Sequence, residues 1–191
     1  MKKMLALPLI LAMIFSMTAC GEKSSVVTTV ENGEEVYILK MSSTVNEDHL
    51  VTKTDRYFIQ RVEELSNGRL KIELYPNNQL GDPRSMLEAT SMGNLDICDV
   101  GLPQYSYYTN ALKFFNLPFL WETRDAAFSF LDTDAGEDIR RQVEEDVGVH
   151  ILGFQDNGFF GFTSNKLMET PADVRGFKVR CQESDILLQI W

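Results

Sequence analysis

Three observations predict an α/β fold, a mainly parallel sheet covered by helices. Hydrophobic patterns between residues 36 and 100 follow a β-α-β-α-β order, helix starts and stops sit at the junctions, and the composition is globular, with 44% hydrophobic and 24% charged residues. Residues 36–42 are a β-rich run. Residues 48–66 place Val51, Phe58, Val62 and Leu65 on one helical face, and Asn67-Gly68 stops that helix. Leu70, Ile72 and Leu74 then alternate with Lys71, Glu73 and Tyr75, a strand closed by Pro76. Asp82-Pro83 joins an N-cap acceptor to a proline at the first helical position, and Gly93 supplies the stop, so the second helix spans 83–92. Residues 95–100 are the third strand. Further on, the pattern predicts a helical aromatic stretch over 105–115, a buried apolar connection over 116–121 broken at Pro118, and one or two helices over 123–146, interrupted near 134–136. It also predicts a strand over 149–154, an extended run over 159–163, a helical turn at Pro171-Ala172-Asp173, a strand over 177–180 and a helix from Ser184. That last helix carries Ile186, Leu187, Ile190 and Trp191 with no C-cap residue, so the chain reads as cut off within a domain.

The length of 191 residues corresponds to one domain, or one and a fraction. With 18 basic against 28 acidic side chains and a net charge of −10, there is no concentrated basic face to displace counterions, which excludes a nucleic-acid role. Lys2 and Lys3 precede an apolar run over 4–15 and the small residues 16–19, the pattern of a secretory signal over residues 1–19. Its apolar part is about a dozen residues, too short for a hydrocarbon layer that needs ~20. Cys20-Gly21 follows Ala19 and resembles the bacterial lipobox, whose cysteine is acylated, although Met17 stands where Leu is usual. The expectation is an exported protein anchored to a membrane surface through Cys20, with residues 20–35 as a flexible spacer. Cys98 and Cys181 lie in apolar runs and are expected as buried small hydrophobes rather than as a disulfide.

Enzyme signatures are poor. His49 and His150 are the only histidines, and His150 falls inside a strand pattern, where a structural role is expected. No metal-ligand spacing, phosphate loop or nucleophile elbow is present, and no cofactor is expected. A binding role has more support. Ligands of open α/β sheets sit beyond the carboxyl ends of the strands, here segments 42–49, 76–81, 101–108 and 181–184. These carry Ser42, Ser43, Thr44, Asn46, Gln79, Gln104, Tyr105, Tyr107 and Tyr108, hydrogen-bonding groups beside aromatic surface that suit a small polar solute. Arg180 ends a predicted strand beside one such loop, where its guanidinium would offer a donor fork to a carboxylate. Solvation or pairing with Glu183 is the alternative for Arg180, as packing is for the tyrosines.

In order, these segments resemble the solute-binding proteins of tripartite ATP-independent periplasmic (TRAP) transporters, of the dicarboxylate-binding type, from Val36 to the last residue. The most specific stretch is 64–96, ELSNGRLKIELYPNNQLGDPRSMLEATSMGNLD, with its Gly-Arg turn, Tyr-Pro, Gln-Leu-Gly and Gly-x-x-Asp. Leu117-Pro118-Phe119, residues 148–153 and residues 170–180 (TPADVRGFKVR) match later landmarks. The resemblance implies a type II periplasmic-binding-protein-like clamshell, with lobe one over 36–154 and only the start of lobe two, truncated, over 155–191. It implies closure on a small organic acid, delivery to TRAP permease subunits, and Arg180 as the principal ligand contact. Ser42, Gln79, Gln104 and Tyr105 are the other expected contacts. Phe160 stands where a second arginine is common, which weakens the case for a simple dicarboxylate and favours a monocarboxylate or a bulkier aromatic or branched acid. Gly101 and Gln104 replace charged residues of sialic-acid-binding members. Charge-assisted hydrogen bonds contribute about 1.5 to 3 kcal/mol each and micromolar binding needs about 8 kcal/mol, so ligand capture is expected to require the rest of lobe two. The rival readings are a ligand-sensing lipoprotein, an extracytoplasmic enzyme and a shortened product without function.

Overall fold

The sheet assembles around β2 (Glu34–Ser43) in the structure, a computed structural model that describes residues 26–31 and 33–190. The expected leader, Cys20 and Trp191 lie outside the described residues. β3 (Leu70–Tyr75) runs parallel to β2 along one edge, Tyr37 opposite Leu70 and Ser42 opposite Tyr75. The other edge is shared by β1 (Val27–Glu31), antiparallel to the first half of β2, and β4 (Ile97–Asp99), parallel to its end, with Ser43 opposite Asp99. The helices α1 (Leu50–Leu65) and α2 (Pro83–Ser91) are the crossovers that parallel pairing requires. His49 Nδ1 accepts from Val51 N at 3.2 Å to open α1, and Asp82 accepts from Arg84 N and Ser85 N at 3.0 and 3.1 Å to open α2.

After β4 come α3 (Leu102–Tyr105), a 3₁₀ turn (Lys113–Asn116), α4 (Arg124–Leu131) and α5 (Asp134–Val147). Thr123 and Thr133 cap the last two helices, and Gly148 ends α5 at φ 76°, a conformation that favours glycine. Leu87 of α2, Leu112, and Val143 and Val147 of α5 form the buried core, to which Cys98, Tyr105, Tyr108 and Phe115 add partly buried surface. Phe114, Phe115, Trp121 and Phe130 make an aromatic cluster with ring centroids 4.5 to 6.2 Å apart, joined to this core through Phe115. A second 3₁₀ turn (Pro171–Val174) and α6 (Asp185–Ile190) follow.

Several expectations need correction. Val27–Glu31 and the start of β2 at Glu34 are paired strand, not spacer, and Lys71 Nζ of β3 reaches Glu31 of β1 at 2.7 Å. Helix over 105–115 reduces to the end of α3 and the 3₁₀ turn, although Tyr105, Tyr108, Leu112 and Phe115 all pack on one core, because Thr109 Oγ1 accepts from Ala111 N at 3.1 Å in a local turn that competes with the helix. The connection over 116–121 is not buried: Leu117 and Leu120 are exposed and Phe119 is wholly exposed at φ 62°. Residues 149–154 and 177–180 have no strand ladder among the described residues; a β-rich run is a strand only when a neighbour supplies its hydrogen bonds. His150 is accordingly an exposed side chain whose Nδ1 lies 2.6 Å from Glu144. Cys98 and Cys181 are free thiols, as expected, but only partly buried.

Candidate functional site

The carboxyl ends of β2, β3 and β4 meet at Ser42, Ser43, Tyr75, Cys98 and Asp99. Alternation along β2 sends its two terminal serines to opposite faces. Ser42 shares a face with Cys98, is fully buried, and its Oγ has no hydrogen-bond partner among the described residues. Ser43, also fully buried, lies on the face of Asp99, 3.5 Å from its Oδ2. The turn after β3 folds over this end of the sheet: Asn77 N donates to Val45 O at 2.7 Å and Asn78 N to Ser43 O at 3.2 Å, with both asparagines left-handed at φ 55° and 56°. Gln79, in that turn, is exposed.

After β4, Gly101 opens α3. The side-chain oxygen of Gln104 comes within 3.0 Å of the place a Cβ on Gly101 would occupy, so the missing side chain lets Gln104 fold back and stay buried. Tyr105 is half-buried, and its hydroxyl is pushed up by burial and then by Cys98 and Asp99.

Two carboxyl groups stand beneath this surface. Asp55, on α1, is 3% exposed and is pushed up to about 6, first by burial and then by the charge of Asp99; hydrogen bonds from Ser43 and Gln155 oppose the rise. Asp99 is raised by burial too, against hydrogen bonds from Gln155 and Ser43. Gln155 Nε2 donates to Asp55 Oδ1 at 3.3 Å, which ties the segment leaving α5 to α1. Asp55, Asp99 and Gln155 are not among the residues expected from the sequence. Asp55 had a signal, since it continues the Val51, Phe58, Val62 face at helical spacing; Gln155 had none.

Ser42, Gln104 and Tyr105 therefore cluster around the strand ends, with Gln79 on the turn above them. Arg180 and Phe160 lie in irregular segments. Both are exposed, and neither has a hydrogen bond, ion pair or ring contact among the described residues. Among the described residues no group of three His, Cys, Asp or Glu could hold a metal ion, and no helix is long and apolar enough to cross a membrane.

Residues 41–191 match the family model DctP, described as bacterial extracellular solute-binding protein, family 7. The C4-dicarboxylate-binding periplasmic protein DctP of Vibrio cholerae is 33% identical over 146 residues, 72% of this chain and 44% of that relative. The crystal structure of a TRAP periplasmic solute binding protein from Xanthobacter autotrophicus with bound β-D-galacturonate superposes with a TM-score of 0.74 at 24% identity, over 80% of this chain and 51% of that one. A second, from Haemophilus influenzae with bound L-gulonate, has a TM-score of 0.67 at 26% identity, over 73% and 45%. The chain thus spans less than half the length of the curated relatives it matches and about half that of the solved structures.

Proposed function

This chain belongs to the DctP family, bacterial extracellular solute-binding protein family 7, and from that membership we propose that it is an exported receptor that captures a small organic acid and hands it to a TRAP membrane permease. The observation that carries the reading is Arg180. It closes the GFKVR segment within the matched region, and in a chain with a net charge of −10 it has no carboxylate partner among the described residues. A guanidinium left in that state has its planar donors available for the carboxylate of a solute. A carboxylate is also the group shared by the solutes that the relatives' names and titles give: C4-dicarboxylates, galacturonate and gulonate. Gln79 and Tyr105 would serve the polar substituents of the acid, and Ser42 and Gln104, both buried at the strand ends, would join them only where that end of the sheet opens. Phe160 offers apolar surface instead of a second cation, which favours an acid with one carboxylate and a branched or aromatic body.

Calorimetric titration of the natural protein carrying this chain with succinate, D-galacturonate, L-gulonate and phenylpyruvate tests the reading. Arg180→Lys is expected to weaken the tightest of these by roughly ten- to a hundredfold, since hydrogen bonds to charged groups contribute about 1.5 to 3 kcal/mol. Unchanged affinity would remove Arg180 from the site.

The same reading puts the protein in the periplasm or on the outer face of the cytoplasmic membrane, held there by acylation of Cys20. Labelled palmitate is expected to enter the wild-type protein and to be lost in Cys20→Ser; equal labelling of both, or of neither, would contradict the anchor.

A further inference from the structure

Three contacts join the segment just after Arg180 to the first lobe. Ser106 Oγ, in the turn after α3, lies 3.1 Å from Ser184 Oγ, and both serines are buried. Lys113 Nζ, in the 3₁₀ turn, donates to Asp185 Oδ2 at 2.5 Å, and this hydrogen bond holds the Asp185 carboxyl below its ordinary range. At the rim, Arg84 Nη1 of α2 lies 3.9 Å from Glu183 Oε1. Ser184 O accepts from Leu188 N at 3.1 Å, which opens α6, and that same turn buries Leu187. Consecutive residues 183, 184 and 185 are therefore all held by elements that follow the carboxyl ends of the strands.

Arg180 has no hydrogen bond, ion pair or ring contact among the described residues, so its place depends on where the chain is pinned. Ser184 is the nearest such point, and four residues of chain span at most about 14 Å. A pair of buried hydroxyls and a half-exposed ion pair can break and re-form, and an unpinned Arg180 would lower the apparent affinity by the fraction of time the contact is open. We propose that Ser106 and Lys113 are positioning residues: they latch Ser184 and Asp185 onto the first lobe and so set where Arg180 meets the carboxylate. The inference rests on the reading of Arg180 given above and adds the residues that act through it.

Two arms test it on the natural protein carrying this chain. In the first, which needs no solute, Ser106→Cys with Ser184→Cys is oxidised mildly and the peptides are mapped by mass. A 106–184 disulfide in most molecules is expected, and its absence would overturn the latch. In the second, Lys113→Asp is titrated with whichever of the four acids binds tightest. Affinity is expected to fall about fivefold and to return within twofold in Lys113→Asp/Asp185→Lys, because the swapped pair restores the pinning whatever its polarity. Weakening without restoration would mean that Lys113 acts through its own charge, and would overturn the positioning role. An Arg180→Lys variant of unchanged affinity, with the disulfide formed and the swap restoring, would overturn the carboxylate reading alone. A weakened Arg180→Lys variant without the disulfide would overturn the latch alone.

Discussion

Gly136→Ala is expected to destabilise the chain by about 3 kcal/mol, although alanine is the better helix former by about 1 kcal/mol. Gly136 lies in the first turn of α5, where its N–H donates to Thr133 Oγ1 at 3.3 Å. A Cβ there would stand 2.4 Å from Leu131 O, 2.6 Å from Leu131 C and 2.7 Å from its Cα. These are backbone atoms at the end of α4, and Leu131 is itself buried, so no side chain can rotate away and the α4–α5 corner must open. The clash therefore outweighs the propensity. The melting temperature should fall by about 6 to 12 °C at 2 to 4 °C per kcal/mol. Gly153→Ala is the control: nothing lies within 4 Å of its Cβ position, and a change within about 0.5 kcal/mol is expected. A Gly136→Ala protein that melts at or above the wild type would contradict the close approach of these two helices.

Asp55→Asn should act in the other direction and only at higher pH. The Asp55 carboxyl is raised in the folded chain to about 6 from a reference of 3.8, so the folded state holds its proton more tightly than the unfolded state. Stability is then lost as pH rises from about 4 to about 6, and the full penalty is present at pH 7, about 3 kcal/mol for a shift of this size. Asparagine keeps an acceptor for Gln155 Nε2, offers an amide toward Asp99 and carries no charge. The variant is expected to match the wild type near pH 4 and to melt about 6 to 12 °C higher at pH 7. A variant less stable than the wild type at pH 7 would show that the ionised carboxylate is well compensated, against the burial that raises it.

The elements from β2 to β4 were legible because their signals are local. Asp82-Pro83 caps and starts α2, Asn67-Gly68 ends α1, and the Leu70, Ile72, Leu74 alternation needs no knowledge of its neighbours. β1 was legible in principle too: Asn32-Gly33 between two β-rich runs is a hairpin signal, hidden by the polar composition around it. The runs over 149–154 and 177–180 have strand composition but no ladder, and pairing cannot be read from one segment alone. The site divides the same way. Ser42, Gln104 and Tyr105 follow from the rule that loops at strand ends carry ligands, whereas the Asp55–Gln155 contact joins residues a hundred positions apart. The latch of Ser106 and Lys113 onto Ser184 and Asp185 is equally non-local, and nothing in either segment announces the other.

In the proposed function the Arg180 guanidinium, which follows the Gly176–Val179 run, grips the carboxylate of a small acid. The most direct test of that contact is a crystal structure of the natural protein carrying this chain, grown with the tightest acid of the panel. Two Arg180 nitrogens are expected within about 3 Å of the two carboxylate oxygens. An acid bound with Arg180 turned to solvent and its carboxylate held by other donors would contradict it.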